Sequence, residues 1–262
     1  MSDLYIIAAG KGSRMGGNLP KALVPISDNE PNLTTTLKQV GHYFKNVFVV
    51  TNRMIQDKWG PYFDSLGALG ANVINVPIDS GLGDGHAVLE GFVQSVHHDN
   101  HADSDDIVVC WGDVFIQHSE IISELLGHNM RNCNGLVPAV REDNPYVTLL
   151  VDNHMNCSSA DFSKYGENHP SGFHDQSIFR FKKRVLWDTL AKLHTAFWKG
   201  GRYIAPGGEL SLLYAFHTLY NIKRAVRVYE TEYPTLSFNT PQEVVEIQEE
   251  INKKWAAANA PQ

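Results

Sequence analysis

Apolar residues along the chain fall into short unbroken runs separated by longer stretches with helical spacing. Residues 4–9 form one such run and read as a buried strand. Residues 47–51, 71–76 and 106–111 repeat the pattern, with β-branched side chains dominating. Between the first two runs, Leu33, Leu37, Val40 and Phe44 recur at helical spacing, with Asn32 placed to cap them. Residues 53–66 read as a second helix, interrupted at Gly60-Pro61, and residues 85–96 as a third. This alternation predicts an α/β fold: a Rossmann-like, doubly wound, mostly parallel sheet with helices on both faces. Ligands of such sheets gather beyond the carboxyl ends of the strands.

From residue 134 the pattern changes. Residues 135–141, 146–152 and 177–181 read as strands with no long helix between them, which predicts a small mixed or antiparallel β extension. Helices follow at 184–197 and 209–219, and a strand at 225–229. A last helix opens with Thr240 as cap and Pro241 at its first position.

Composition narrows the class. A chain of 262 residues can bury a substantial core. The net charge of −7, with no basic run, argues against a nucleic-acid surface. Cys110, Cys133 and Cys157 lack Cys-x-x-Cys spacing and cannot all pair, which points to a reducing compartment without structural zinc. No secretory leader pattern and no apolar run of membrane-spanning length is present, so a soluble cytoplasmic protein is expected. The polar stretch 97–106 carries three His and four Asp but no ligand spacing, and reads as a solvated loop.

The candidate chemistry starts where the first strand ends. Ala8-Ala9-Gly10-Lys11-Gly12-Ser13-Arg14-Met15 leads to Pro20-Lys21 through two more glycines. Glycines let backbone amides turn toward a ligand, and the cations beside them suit a polyphosphate. A Walker loop needs an earlier glycine than this stretch has, and a dinucleotide fingerprint needs glycine where Met15 stands. Two further motifs follow: Gly81-Leu-Gly-Asp-Gly-His-Ala87 at a helix start, and Gly112-Asp113-Val114 at a strand end. The glycines from 81 to 85 could face backbone amides toward a ligand. His86 by itself reads as a residue that packs or bonds locally.

The first loop resembles the signature of the sugar-phosphate nucleotidyltransferases, the MobA-like NTP transferases, at Ala8, Ala9, Gly10, Gly12, Arg14, Met15, Pro20 and Lys21. The other two motifs resemble those of N-acetylglucosamine-1-phosphate uridyltransferases. The resemblance implies a nucleotidyltransferase that moves an NMP from an NTP to a sugar-1-phosphate or similar acceptor and releases pyrophosphate. Arg14 and Lys21 would be catalytic. Ala8, Ala9, Gly10, Lys11, Gly12, Ser13, Ile78, Gly83 and Asp84 would bind the nucleotide. Asp113, together with Asn239 of an Asn-Thr-Pro turn, would hold Mg2+. Lys164, Asp175 and Glu209 align with acceptor-binding positions. Read alone, Lys164 fits a solvated lysine equally well, and Glu209 a carboxylate at a helix start.

Two departures stand out: Asp84 replaces the family's Thr, and Ile78 replaces a base-reading Gln. A pyrimidine preference relaxed between UTP and CTP is therefore expected. The implied organisation is one domain over 1–254, with a nucleotide-binding half (1–133), an acceptor-binding part (134–235) and a return segment (236–254), followed by a frayed tail (255–262). Cytidylyltransferases for polyol or isoprenoid phosphates and molybdopterin-cofactor nucleotidyltransferases share the first loop. A non-catalytic nucleotide-sugar-binding regulator is the reading from another class. The expected partners are an NTP and a phosphorylated small molecule, with no nucleic acid and no membrane. The oligomeric state is open, a homo-oligomer included.

Overall fold

The computed structural model describes residues 1–10, 15, 19–27, 30–69, 72–79, 81–96 and 105–258. Ten strands form its main sheet: β1 (Asp3–Ala8), β2 (Asn46–Asn52), β3 (Asn72–Ile78), β4 (Asp106–Trp111), β5 (Gly135–Asp143), β6 (Val147–Val151), β7 (Cys157–Phe162), β8 (Ser171–Asp175), β9 (Ile178–Lys182) and β10 (Val226–Glu230). Their spatial order is β7-β6-β8-β5-β9-β4-β1-β2-β3, with β10 parallel to β5. β3, β2, β1 and β4 are mutually parallel, and in the whole sheet only β7, β8 and β9 run against the others.

Alternate residues of the parallel strands feed two cores, because both faces of a parallel sheet are covered. Tyr5, Phe48, Val50, Ile107 and Val109 face one core, beneath helices α3 (Asp84–Ser95), α5 (Lys183–Phe197) and α6 (Tyr214–Asn221). Leu4, Ile6, Val47, Val49 and Val108 face the other, beneath α1 (Asn32–Val40), α2 (Gln56–Ser65) and α4 (Glu120–Gly127). Each large apolar side chain fully buried there contributes about 1.5–3 kcal/mol. A third small cluster, Val24, Ile26, Phe115, Phe238, Val244 and Ile247, seats α7 (Pro241–Ala258) against the first half of the chain.

The β extension is continuous with the parallel half. β8 and β9 act as one strand with a bend at Gln176-Ser177, where Ser177 takes a left-handed φ of 57°. Its first half pairs β5 and β6, and its second half pairs β5 and β4. β7 and β8 were not foreseen, because Cys157-Ser-Ser-Ala-Asp-Phe162 and Ser171-Gly-Phe-His-Asp175 carry too few apolar residues to stand out.

Other expectations shift. α2 runs through Gly60-Pro61, since the Asp57 carbonyl deprived of a partner by Pro61 lies on an exposed face. The helix expected at 209–219 begins only at Tyr214, and Glu209 sits in extended backbone (φ −124°, ψ 149°), so it is not a helix-start carboxylate. α7 continues to Ala258, past the expected start of the tail.

Candidate active site

A cavity of about 400 Å³ opens at the carboxyl ends of β1, β3 and β4. Ala8, Ala9, Gly10, Lys21, Gly112 and Asp113 form one side, and Ile78, Gly83, Asp84, His86 and Glu209 line the rest. A smaller cavity shares Gly83, Asp84 and Glu209 with it and adds Lys164, Tyr165 and Tyr214. The structure thus gathers Ala8, Ala9, Gly10, Lys21, Ile78, Gly83, Asp84, Asp113 and Glu209 around one space, with Lys164 at its annex. Lys11, Gly12, Ser13 and Arg14 lie outside the described residues, as does most of the 97–106 stretch.

Lys21 follows Pro20 into a single 3-10 turn, and its ammonium reaches Asp113 Oδ2 at 2.7 Å and Asn239 Oδ1 at 2.8 Å. Three backbone arrangements bring these groups together. Gly112 donates its N–H to Ile7 (2.9 Å), and a Cβ there would meet Ala8 and Ala22 at 3.1 and 3.2 Å, so glycine leaves room for the ends of β1 and β4 to lie close together. Leu236–Ser237 pairs antiparallel with Val114–Phe115, and Phe238 N–H donates to the Asp113 carbonyl (3.2 Å). Glu243 then accepts from the N–H groups of Asn239 and Thr240, while Thr240 Oγ1 accepts from Glu243 N–H, closing a capping box at the start of α7. The expected Thr240 cap is therefore present, and it also fixes Asn239.

Asn32 was missed. It does not cap α1 with its side chain. It is 1% exposed, and its amide donates to the carbonyls of Val114 (2.8 Å) and Gly112 (3.2 Å), holding the loop on either side of Asp113. An Asn before an apolar helical stripe looks the same in either role, and only the fold shows which loop lies beside it.

The Gly83–Gly85 turn also differs from expectation. Gly85 N–H donates to Leu210 O (2.9 Å) and Leu210 N–H to Leu82 O (2.8 Å), so the Gly85 amide serves the protein rather than facing a ligand. Gly83 has φ +100°, and a Cβ on it would lie 2.3 Å from Leu210 O. The Asp84 carboxylate accepts from Leu212 N–H (2.5 Å) and Ser211 Oγ (3.2 Å). Burial pushes its pKa up to about 6, opposed by those hydrogen bonds and by Lys164. This Asp ties the 210–213 segment to the cavity wall.

Asp175 is buried at the end of β8, accepts from Ser177 N–H (2.9 Å) and lies outside the lining of both cavities. Burial raises its pKa. Lys164 lies 4.8 Å from the ring centre of Tyr165 and 5.4 Å from that of Phe162. His86 does bond locally, to Tyr203 Oη at 2.7 Å, and also lines the large cavity. Among the described residues no group of three or more His, Cys, Asp or Glu converges to hold a metal. Asp113 and Asn239 instead offer a carboxylate and an amide oxygen converging on one cation, the Lys21 ammonium. That donor set fits Mg2+, which binds through one or two protein oxygens and completes its shell with water and phosphate.

Fold and site together define an α/β protein whose cavity lies at the carboxyl ends of its parallel strands, with Gly10 on its lining and Asp113 and Asn239 joined there by Lys21. The chain belongs to the MobA-like NTP transferase domain family, whose signature spans residues 4–193. Solved structures share the fold at low identity. HddC from Yersinia pseudotuberculosis is 17% identical with TM-score 0.67, covering 96% of this chain and 100% of that one. UDP-glucose pyrophosphorylase complexed with UDP-glucose is 15% identical with TM-score 0.70, covering 97% and 99%. The inositol-1-phosphate CTP transferase from T. maritima is 15% identical with TM-score 0.69, covering 97% of each chain. Among the described residues no helix is long and apolar enough to cross a membrane.

Proposed function

We propose that this protein is a Mg2+-dependent cytoplasmic nucleotidyltransferase. It transfers NMP from an NTP, preferentially a pyrimidine nucleotide, to a sugar-1-phosphate or a similar small phosphorylated acceptor, and releases pyrophosphate. The observation that carries the reading is the meeting of Lys21 and Asp113, which line the 400 Å³ cavity, with Asn239 beside them. Asp79, Asp84, Asp113 and Glu209 line that cavity, and Lys21 is the only cation lining it among the described residues. The described lining thus carries net negative charge, which favours a nucleotide accompanied by a divalent cation.

In this reading the base lies between Ala8-Ala9 and the 78–86 wall. The amides of residues 9–13, with Arg14, hold the β- and γ-phosphates. Lys21 neutralises charge at the α-phosphate as an acceptor phosphate oxygen attacks in line. An acceptor phosphate is already an anion at neutral pH, so positioning and charge neutralisation suffice and no general base is needed. Mg2+, held by Asp113 and Asn239, supplies further charge neutralisation at the phosphates when bound. The acceptor extends toward Glu209 and the annex, where Lys164 offers a cation and Tyr165 a ring face. Asp175 has no place in that annex. It instead supports the β8–β9 bend.

The test is pyrophosphate release across four NTPs and a panel of sugar, polyol and inositol phosphates, with and without chelator. Release with at least one pair, abolished by chelator, is expected. NTP binding with no release from any pair would favour a non-catalytic nucleotide-sugar-binding regulator.

A further inference from the structure

Tyr203 Oη lies 2.7 Å from His86 Nδ1 and 2.7 Å from His194 Nδ1. The Trp198 ring lies nearly parallel to both imidazoles, at 6.3 Å and 9° from His86 and 5.4 Å and 24° from His194. Burial raises the Tyr203 pKa to about 12, so the phenol keeps its single proton. Burial also lowers the His86 pKa, which keeps that imidazole neutral. A phenol donates once, so when both contacts are hydrogen bonds one imidazole receives the Tyr203 proton and the other donates to the Tyr203 oxygen.

This fixes the options at the cavity. With Nδ1 committed to Tyr203, only Nε2 of His86 remains, and no hydrogen bond to it occurs among the described residues. If Tyr203 donates to His86, His86 carries its own proton on Nε2 and is a donor. If Tyr203 donates to His194, His86 is protonated on Nδ1 and its Nε2 is an acceptor. Passing from the first state to the second moves the Tyr203 proton to His86 Nδ1 and the His194 Nδ1 proton to Tyr203. His86 gives its Nε2 proton to water in the cavity and the half-buried His194 takes one from solvent on its own Nε2, so total charge is conserved. A ring nitrogen that can be donor or acceptor can meet either a keto oxygen or an exocyclic amino group.

We propose that His86 reads the edge of the nucleobase, and that Tyr203 and His194 act as positioning residues that let it serve both keto and amino bases. This rests on the cavity being the nucleotide site. It would permit the relaxed choice between UTP and CTP expected where Ile78 offers only apolar contact. His194 does not line the cavity, so a merely structural role for it would not change base choice. Replacing His194 by Phe leaves Tyr203 with His86 as its sole imidazole partner, which favours the phenol donating to His86 Nδ1 and so makes His86 Nε2 mainly a donor. Tyr203→Phe removes the bridge and frees His86 from its coupling to His194.

The experiment measures kcat/KM for UTP, CTP, GTP and ATP with one working acceptor, and NTP affinity by calorimetry, for wild type, His194→Phe, Tyr203→Phe and His86→Leu. Thermal melts establish that each variant is folded. The expected result is a rise in the UTP:CTP or GTP:ATP ratio, on the order of tenfold, in His194→Phe. Tyr203→Phe should move the ratio away from the wild-type value, and His86→Leu should weaken keto and amino nucleotides alike. Unchanged ratios in a folded His194→Phe that binds NTP would overturn this inference while leaving the nucleotide site standing. Should His194→Phe fail to fold, an unchanged ratio in folded Tyr203→Phe decides against it in the same way. Absence of NTP binding by the wild type would remove the nucleotide site and this inference together.

Discussion

Lys21 Nζ lies 2.8 Å from Asn239 Oδ1 across 218 residues of chain, and the same ammonium is 2.7 Å from Asp113 Oδ2. The two proposed cation ligands are therefore held in register by a side chain proposed to act on phosphate. Lys21→Ala is expected to lower kcat on the order of 10²- to 10³-fold, the scale for loss of one preorganised charge-stabilising group. Without nucleotide, the same variant should bind Mn2+ more tightly than wild type, because no ammonium competes for Asp113 and Asn239. Steady-state kinetics and Mn2+ titration check both. Wild-type turnover in a folded variant would remove Lys21 from the mechanism.

Asn32 brackets Asp113 with two amide hydrogen bonds in a buried setting. Asn32→Ala leaves the Gly112 and Val114 carbonyls short of a partner. A loss of about 2–6 kcal/mol is expected, at about 1–3 kcal/mol for each of the two buried groups left unpaired. The Mg2+ concentration giving half-maximal turnover should also rise. Urea unfolding and a Mg2+ titration of activity measure the two effects, and a variant normal in both would make Asn32 a bystander.

Gly83 and Gly85 meet the backbone of Leu210 and Leu212, which cannot move aside as a side chain could. Gly83→Ala and Gly85→Ala are each expected to cost about 2–3 kcal/mol. Gly127→Ala, with nothing within 4 Å, should change stability by no more than about 0.5 kcal/mol. Thermal melts of the three variants suffice, and equal melting temperatures would mean that the close approach is not a constraint.

Asp84 has its pKa raised to about 6 from 3.8. A carboxyl raised on folding favours the folded state while protonated. Its contribution is full below about pH 4, declines as pH rises toward 6, and levels off above. Because Asp84 retains some contact with the cavity, the swing is on the order of 1–3 kcal/mol. Asp84→Asn keeps an oxygen for Leu212 and Ser211 and should remove this slope. The stability difference between Asp84→Asn and wild type, followed by urea unfolding from pH 4 to 7, should grow in the variant's favour. A flat difference would show that the carboxyl is not strained by its surroundings.

Much of the site could be read from local patterns. The loop after β1, Asp113 at a strand end and Asn239 before a Pro-started helix are each short motifs, and their convergence follows from a parallel sheet that brings strand ends to one edge. What escaped the reading depends on distant contacts. Asn32 looks like a cap until the loop beside it is known. Glu209 looks like a helix start because Leu210, Leu212 and Leu213 mimic helical spacing, yet Glu209 is extended, Leu210 is pinned at the two glycines, and Leu212-Leu213 form a turn that leads into α6. β7 and β8 are polar enough to read as loop, and their pairing partners supply the order. The placement of Asp175 relied on motif alignment through that same region. The β8–β9 bend turns its carboxylate into the protein.

The pairing of Leu236–Ser237 with Val114–Phe115 has a consequence for synthesis. A chain emerging from a ribosome exposes the first loop, Lys21 and Asp113 long before Asn239 exists. Domains that fold in order from the N-terminus often form stable early units, but here the oxygen pair is completed only by Asn239, far downstream of Asp113. An emerging chain can therefore form the ends of β1 and β4 without completing the proposed cation site. The competence proposed for this centre would be switched on late, when the return segment closes against the first half.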